Sequence, residues 1–209
     1  LAIPPSFGTH WLTPRLREFN RLNPDILINL HTRLSQFDFN REGFDAAVYY
    51  GGRDWPGVVY VHLADERGIP AAAPDLFGGR KLTPQELLSA PLLHLETRPG
   101  AWEEWFNHHG CPASGLRGML FDQFFTMAEA AVHGFGVALL PEFLAEAEFR
   151  TGRLTPLVTD YFDVEGAYYL VVPEGRARNP QLDLLIAFLA GHEQARIYHH
   201  RPDDRRYDL

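Results

Sequence analysis

Two short segments place polar and aromatic side chains where a strand gives way to a helix. The first is Pro5-Ser6-Phe7-Gly8-Thr9, and the second is Asp122-Gln123-Phe124-Phe125-Thr126. Ser6 is a candidate N-cap, and the first turn of a helix presents backbone N–H groups that lack partners within the helix. Two such helix starts facing one cleft would favour an anionic group such as a carboxylate. Ordinary capping of two helices accounts for the same residues equally well.

The remaining residues with chemical potential favour structural roles. His108, His109 and Cys111 lie close together, but no second ligand pair follows at zinc-like spacing, so an exposed turn is favoured over a metal site. Gly134-Phe135-Gly136 follows a predicted helix and precedes a predicted strand, which is typical of a helix C-cap and the reverse of a dinucleotide fingerprint. The sequence contains no Gly-x-Ser-x-Gly, Walker or His-Glu-x-x-His motif. We therefore expect no catalytic residues, no cofactor and no metal.

Composition narrows the possible partners. The 209 residues are 45% apolar and carry a net charge of −8, and the only dense basic stretch, 201–206, is interrupted by two aspartates. We therefore do not expect this chain to bind duplex DNA by itself. No apolar run approaches the roughly 18 residues of a membrane span. The single cysteine fits a reducing compartment, and we expect a cytoplasmic fragment of a longer protein, without a signal peptide.

Strand-like and helix-like segments alternate along the chain. Thr83-Pro84 followed by Glu86 is typical of a capped helix start, and Ile26, Ile28 and Leu30 alternate as in a half-buried strand. This alternation predicts mostly parallel sheets with helices on both faces. Because no Gly/Ser linker occurs, two lobes would have to be joined by ordered strands. Further strands are predicted at 45–50, 58–63, 68–73, 92–95, 116–121, 137–140 and 167–172, and further helices at 101–108, 123–133, 141–151 and 180–189.

The order and spacing of several motifs resemble the effector-binding domain of LysR-type transcriptional regulators. The most similar branch contains the glycine-cleavage activator and the β-lactamase regulator. The resemblance runs from residue 1 to about residue 190. The motifs that carry it are WLTPRL at 11–16, DAAVYYGGRDWPG at 45–57, Phe121-Asp122, GFGVALLP at 134–141 and GAYYLV at 166–171.

This resemblance implies an α/β fold of two Rossmann-like lobes joined by two crossover strands, similar to type 2 periplasmic binding proteins. Lobe I would comprise residues 1–72 and 166–195, lobe II residues 73–165, and a C-terminal tail residues 196–209. The crossovers would lie at 68–73 and 163–168. The family's N-terminal winged helix-turn-helix is expected to be absent from this chain, in keeping with the acidic charge.

The resemblance also implies a binding site for a small-molecule effector between the lobes. Carried over position by position, the effector-binding residues would be Ser6, Phe7, Thr9, Tyr49, Asp122, Gln123, Phe124 and Tyr168. The branch usually has arginine where this chain has Tyr49. Loss of that cation weakens the case for a small dianionic ligand and leaves room for an aromatic or larger effector.

The implied function is the sensing of a small molecule by a DNA-binding regulator, since an effector stabilises the lobe arrangement that it binds better. The implied partners are the effector, further copies of the chain in a homodimer or tetramer, and DNA only through the N-terminal domain. In the dimer, the helix around Leu16–Leu22 would pack antiparallel against Gln123–His133 of the partner. The alternative is a periplasmic solute-binding receptor, which would share the fold but carry a signal peptide.

Overall fold

A computed structural model describes residues 1–175, 179–192 and 197–199. The chain divides into two compact units, of which the second is Glu66–Val164. The first consists of Leu1–Asp65 together with the described residues from Glu165 onward. Each boundary falls inside a long strand, so ordered strands join the units, as the lack of a Gly/Ser linker predicted. The two strands are β4 (Val58–Ala72) and β9 (Phe162–Pro173).

The first unit contains a mixed sheet in the order β2-β1-β3-β9. β1 (Ala2–Ile3) is parallel to β2 (His31–Thr32) and to β3 (Ala47–Gly51), and β3 is antiparallel to β9. The core on one side of this sheet is rich in aromatic rings, including Phe39, Trp55 and Tyr60. The helical segments are α1 (Pro5–Phe7), a π-helical stretch (Gly8–Leu12), α2 (Thr13–Leu22), α3 (Phe39–Glu42) and α8 (Pro180–His192).

The second unit contains a sheet in the order β4-β7-β5-β6. β5 (Leu92–Leu95) is parallel to β6 (Gly118–Phe121) and to β7 (Val137–Pro141), and β7 is antiparallel to β4. A two-residue strand, β8 (Thr155–Pro156), also pairs with β4. The helices are α4 (Pro84–Leu87), α5 (Ala101–His108), α6 (Phe124–Val132) and α7 (Glu142–Thr151).

Neighbouring residues of β5 enter two different cores in the second unit. Leu93 packs with residues of α6 and α7, whereas Leu92 packs with Trp102 and Trp105 of α5. Because side chains alternate between the two faces of a strand, both faces of this sheet are covered by helices, as predicted. The single cysteine, Cys111, is buried in the second of these cores.

Several local predictions are confirmed. The Thr83 hydroxyl accepts a hydrogen bond from the Glu86 amide, and the Glu86 carboxylate accepts one from the Thr83 amide, which completes the capping box. The helix predicted at 101–108 is present with those bounds. Asn179 accepts hydrogen bonds from the amides of Gln181 and Leu182 at the start of α8, where a cap was predicted.

The strand predicted around Ile26–Leu30 is wrong. The extended pairing occurs later, at His31–Thr32, and the Leu27 side chain before it is 88% exposed. Among the described residues β2 pairs with β1 alone, and because β1 has two residues the ladder ends after two pairs. Ile26 and Ile28 are half-buried and Leu27 and Leu30 are exposed, but these residues form no strand and lie just before the two that pair.

The two strands predicted at 58–63 and 68–73 form one continuous strand, β4. The polar residues between them have side-chain partners in the second unit: Glu66 pairs with Arg98, and Arg67 pairs with Glu142. Part of the predicted tail is also a strand, β10 (Ile197–His199), which is antiparallel to β4. Residue 196 and residues 200–209 of that tail lie outside the described residues.

None of the helices in the described part of the chain combines the length and the apolar character needed to cross a membrane. The assignment of the chain to lobe I, lobe II and a C-terminal tail with the bounds given above stays a prediction.

Candidate functional site

A stack of aromatic rings supports the first helix start in the first unit. The ring of Phe7 stacks on Tyr168 at a centroid distance of 4.0 Å and on Trp11 at 4.6 Å. The guanidinium carbon of Arg15 lies 3.8 Å from the Trp11 centroid, a cation–π contact at one end of the stack. Tyr50 packs at the other end, with its ring 4.9 Å from that of Tyr168. Two predicted effector residues, Phe7 and Tyr168, are therefore in direct contact within one unit.

Tyr50 ties this stack to β9. Its hydroxyl donates a 2.5 Å hydrogen bond to the backbone oxygen of Glu165, next to Gly166. Gly166 has φ +103°, and a Cβ at that position would lie 2.9 Å from the Tyr50 Cζ and hydroxyl oxygen. Tyr50 and Gly166 thus fit each other only because Gly166 has no side chain. The sequence analysis did not include Tyr50 among the site residues.

Ser6 lies within α1 rather than at its N-cap. The N-cap is Pro4, and Pro5 begins the helix with its φ already close to the helical value, so the predicted capping role of Ser6 is wrong. Ser6 is only 8% exposed, and its hydroxyl has no hydrogen-bond partner within the part of the chain that the structure describes. Thr9 is exposed, and its hydroxyl donates to the Pro5 carbonyl oxygen at 2.9 Å, so it serves its own helix.

Tyr49 lies on the opposite face of β3 from Tyr50. In the antiparallel register Tyr49 pairs with Tyr169, whereas Tyr50 pairs with Tyr168. Because side chains alternate along a strand, the structure does not bring Tyr49 together with Phe7 and Tyr168. Its ring packs at 5.3 Å against Trp55.

The Tyr49 hydroxyl belongs to a small polar network on that other face. It donates to Asp54 Oδ1 at 2.7 Å and accepts from the Gln36 amide at 3.0 Å. Burial raises the pKa of Tyr49 above its ordinary value, and the hydrogen bond to the Asp54 carboxylate raises it further. The phenol therefore stays neutral and does not supply the cation that the family resemblance implied at this position.

In the second unit, three predicted effector residues form the start of α6. Asp122 is exposed, Gln123 is the N-cap, and Phe124 is the first helical residue. The Gln123 side chain makes no capping hydrogen bond. Its backbone oxygen accepts from the Met127 amide and from the Thr126 hydroxyl. The Asp122 and Gln123 side chains are thus not used to build the helix.

Phe124 also lines a small pocket between β4, β5 and α6. A buried ion pair borders this pocket: Arg98 donates from Nε to Glu66 Oε1 at 2.9 Å and from Nη2 to Oε2 at 3.1 Å. The Arg98 guanidinium carbon lies 5.5 Å from the centroid of the Phe124 ring. His94 of β5 lines the same pocket. None of Glu66, His94 and Arg98 was singled out from the sequence, because they come from three separated segments and match no motif.

The histidines considered as metal ligands make ring contacts instead. His109 stacks on Trp105 at 3.9 Å, and His108 meets the edge of Phe162 at 5.0 Å. Among the described residues, no group of three or more His, Cys, Asp or Glu side chains is placed to hold a metal ion. Gly134 follows α6 with φ +76°, the conformation of a helix C-cap.

Comparison with known proteins relates both units to one family. The LysR substrate binding domain model matches residues 1–194. HTH-type transcriptional regulator TrpI of Pseudomonas aeruginosa is 35% identical over 194 residues, which are 90% of this chain and 65% of TrpI. The glycine cleavage system transcriptional activator of Escherichia coli is 33% identical over 180 residues, covering 85% of this chain and 59% of that protein. The chain thus spans less than two thirds of these relatives.

Solved structures agree with this relationship. The effector domain of the transcriptional regulator AmpR of Pseudomonas aeruginosa has a TM-score of 0.84 at 27% identity, over 91% of this chain and 92% of that one. The AmpR effector binding domain from Citrobacter freundii has a TM-score of 0.81, also at 27% identity, over 91% and 95%. The fold is therefore the type 2 periplasmic-binding-protein-like fold of LysR effector domains, and the named relatives are transcriptional regulators rather than transport receptors. This chain belongs to the LysR substrate-binding domain family.

Proposed function

We propose that this chain is the part of a DNA-binding transcriptional regulator that senses a small-molecule effector, and that it is not an enzyme. The observation that carries the proposal is the Ser6 hydroxyl, which has no hydrogen-bond partner among the described residues and directly precedes Phe7 of the ring stack. The chain that contains it matches the LysR substrate binding domain over residues 1–194. Ser6 is only 8% exposed and its hydroxyl makes no hydrogen bond within the described residues, so a ligand could supply the partner that the fold does not.

In the first unit, the proposed effector contacts are Ser6 and the edges of Phe7, Tyr50 and Tyr168. Tyr50 takes the place that Tyr49 had in the sequence analysis, because it shares a face with Tyr168. Thr9, which is exposed, would lie at the edge of the proposed site. In the second unit, Asp122, Gln123 and Phe124 remain the proposed contacts, and the unused polar side chains of the first two support that choice. A single effector that contacts both groups stays a prediction.

Two features favour an effector with an aromatic or extended apolar part. The contacts in the first unit are mainly aromatic rings, and Tyr49 supplies no cation. A carboxylate on the effector is also part of the proposal, since the helix starts offer backbone N–H donors. A small dianion is the less favoured ligand.

We further propose that the chain forms a homodimer or tetramer and acts in the cytoplasm, with DNA bound by a part that the relatives have outside the matched region. Within the predicted contact helices, Leu16 is only 7% exposed, but Leu22 of α2 and Phe125 of α6 are each 55% exposed. Exposed large apolar side chains on both helices are suited to contact between copies. We therefore propose Leu22 and Phe125 as the dimer contacts within the predicted helical ranges 16–22 and 123–133.

Ligand binding can be tested directly on this chain. Thermal shift and calorimetry with a panel of free amino acids, aliphatic carboxylates and aromatic carboxylates should identify at least one ligand. For that ligand, Ser6→Ala should raise the dissociation constant about five-fold, which corresponds to about 1 kcal/mol for one hydrogen bond. The exposed Ser35→Ala is the matched control and should leave binding unchanged. Binding that is equally strong in the wild type and in Ser6→Ala would contradict the proposed site.

A further inference from the structure

His94 is an unusual residue of the second unit because its imidazole has no polar partner. Nε2 is completely buried, and no described residue forms a hydrogen bond or ion pair with the side chain. The residue lies on β5 between Leu93 and Leu95, both of which are core residues. A buried ring nitrogen without a partner destabilises the fold, so such nitrogens are usually paired with protein, water or ligand.

The pocket beside His94 is small and mostly apolar. Its internal space is about 20 Å³, which is room for one water-sized group. Apolar side chains form most of its wall, among them Leu93, Trp102, Phe124 and Leu140. Phe124 connects this space to the start of α6, where the proposed effector contacts of this unit lie.

The two charged side chains at the pocket already form an ion pair with each other. The side chain of Glu66 is 3% exposed and that of Arg98 is 13% exposed, and the two form a bidentate ion pair. The remaining terminal nitrogen of Arg98 donates to the backbone oxygen and the hydroxyl of Thr97. A carboxylate that entered here would meet the Glu66 carboxylate and find the guanidinium donors engaged. An ammonium group would add an uncompensated buried charge next to Arg98.

We propose that this pocket is a ligand subsite of the second unit that accepts an uncharged hydrogen-bonding group, such as an amide or a hydroxyl, which pairs with His94. A neutral imidazole has one donor and one acceptor nitrogen, so either kind of group can be paired. The proposal deepens the proposed function and rests on it, because the group would belong to the effector. It places the uncharged end of the effector at Phe124, and any carboxylate elsewhere.

The test uses acetamide, propanol and acetate, three probes with four heavy atoms each. Because the internal space is about 20 Å³, only the polar end of each probe would enter the pocket. The indole N–H of Trp102 is a suitable NMR reporter, since Trp102 lines the pocket, its N–H donates to the Leu93 oxygen at 2.8 Å, and none of the variants below changes either residue. Acetamide or propanol should shift this signal in a saturable way, and acetate should not. In His94→Leu, the dissociation constant of acetamide should rise about three- to ten-fold, the range for one lost hydrogen bond.

Two further variants keep the outcome interpretable. His94→Gln retains a polar group and should restore most of the acetamide binding. His133→Leu changes an exposed histidine after α6 and should not affect the titration. Because His94→Leu removes an unpaired buried nitrogen, it should fold with at least the stability of the wild type. Saturable binding of acetate, or an acetamide titration unchanged in His94→Leu, would overturn the proposal.

The acetamide titration and the Ser6→Ala binding test can fail independently of each other. If acetamide fails to bind and a long-lived water is detected next to His94 by NMR, the pocket holds a structural water and the subsite is rejected. The Ser6-dependent ligand would then still support effector sensing. Conversely, acetamide binding with no Ser6-dependent ligand would retain the subsite and reject the proposed effector contacts of the first unit.

Discussion

The Tyr50 hydroxyl donates a 2.5 Å hydrogen bond to the backbone oxygen of Glu165, 115 residues later in the chain. Glu165 is the first residue of β9 that belongs to the first unit. The same tyrosine ring packs against Tyr168, two register positions from Gly166. Tyr50 thus holds the point at which the chain re-enters the first unit, next to the ring stack that contains Phe7.

Tyr50→Phe should keep the ring contact with Tyr168 and remove the hydroxyl that donates this hydrogen bond. We expect a loss of about 1 kcal/mol in the free energy of unfolding, measured by urea denaturation, and faster amide exchange around Gly166. Tyr161→Phe in the second unit is the control, since it loses a 2.5 Å hydrogen bond to Glu146. It should lower stability similarly without changing exchange near Gly166. Unchanged exchange near Gly166 in Tyr50→Phe would count against the anchoring role.

Gly166→Ala should destabilise the domain by well over 1 kcal/mol, because the new Cβ would combine a φ of +103° with a 2.9 Å approach to Tyr50. Gly152→Ala is the matched control: φ is +70°, but nothing lies within 4 Å of its Cβ. Gly152→Ala should lower the free energy of unfolding by less than Gly166→Ala does. Adding Tyr50→Leu to Gly166→Ala should recover part of the loss, and strict additivity in this cycle would refute the clash.

The capping box of α4 predicts a dependence of stability on pH. The pKa of Glu86 is lowered from 4.5 to about 2, mainly by the hydrogen bond from the Thr83 amide, and then by the Arg80 side chain and the Thr83 hydroxyl. A carboxyl with a depressed folded pKa stabilises the fold above the unfolded value and stops doing so as pH falls through the folded value. Glu86 therefore contributes fully above about pH 4.5, and the contribution disappears towards pH 2.

Glu86→Gln should consequently be less stable than the wild type at pH 7, and the gap should close between pH 4.5 and pH 2. Denaturation at a series of pH values measures this directly. Glu96→Gln is the control, since Glu96 is exposed and its carboxylate accepts no hydrogen bond from a described residue. A gap that stays constant over the acid range would show that the capping carboxylate is not the titrating group.

Leu22→Asp and Phe125→Asp should each shift the chain towards monomers if the proposed dimer contacts are right. Both side chains are 55% exposed, so an aspartate costs little within a monomer but opposes burial against a second copy. Sedimentation at several concentrations gives the association constant. Leu184→Asp on α8 is the control: Leu184 is 50% exposed, and its substitution should leave the association constant unchanged. Equal weakening by all three variants would indicate non-specific association instead.

The chain alone should not retain duplex DNA in a low-salt gel shift. Non-specific affinity for a duplex comes mainly from phosphate neutralisation by Lys and Arg, and the net charge here is −8. Deleting residues 201–206, the basic stretch of the C-terminal tail, should make no difference. Sequence-specific retention of an operator fragment by this chain would contradict the proposal that DNA is bound by another part of the protein.

Most elements with strong local signals were predictable from the sequence. The α4 capping box and the bounds of α5 follow from residues a few positions apart, as caps and helical periodicity do. The face of Tyr49 was not predictable in this way. It depends on the register of β3 with β9, which joins residues about 120 positions apart and is set by tertiary pairing.

The pocket in the second unit shows the same limit. Glu66, His94 and Arg98 come from a crossover strand, a buried strand and the loop after it, and each alone has an ordinary structural interpretation. Ser6 was identified for the wrong reason, since proline at the first helical position begins α1 without a side-chain cap. The ring stack that begins at the next residue, Phe7, forms because the fold brings Tyr168, 162 residues after Ser6, beside it.

The buried position of Cys111 has a practical consequence for spectroscopy. It is the only cysteine of the chain and is 9% exposed within the core that contains Trp105 and Phe106. A thiol introduced at an exposed position would therefore react with maleimide or methanethiosulfonate labels far faster than the native one. Spin labels or fluorophores placed pairwise at sites such as Ser35 and Ser114 could thus report distance distributions in solution without first replacing the native cysteine.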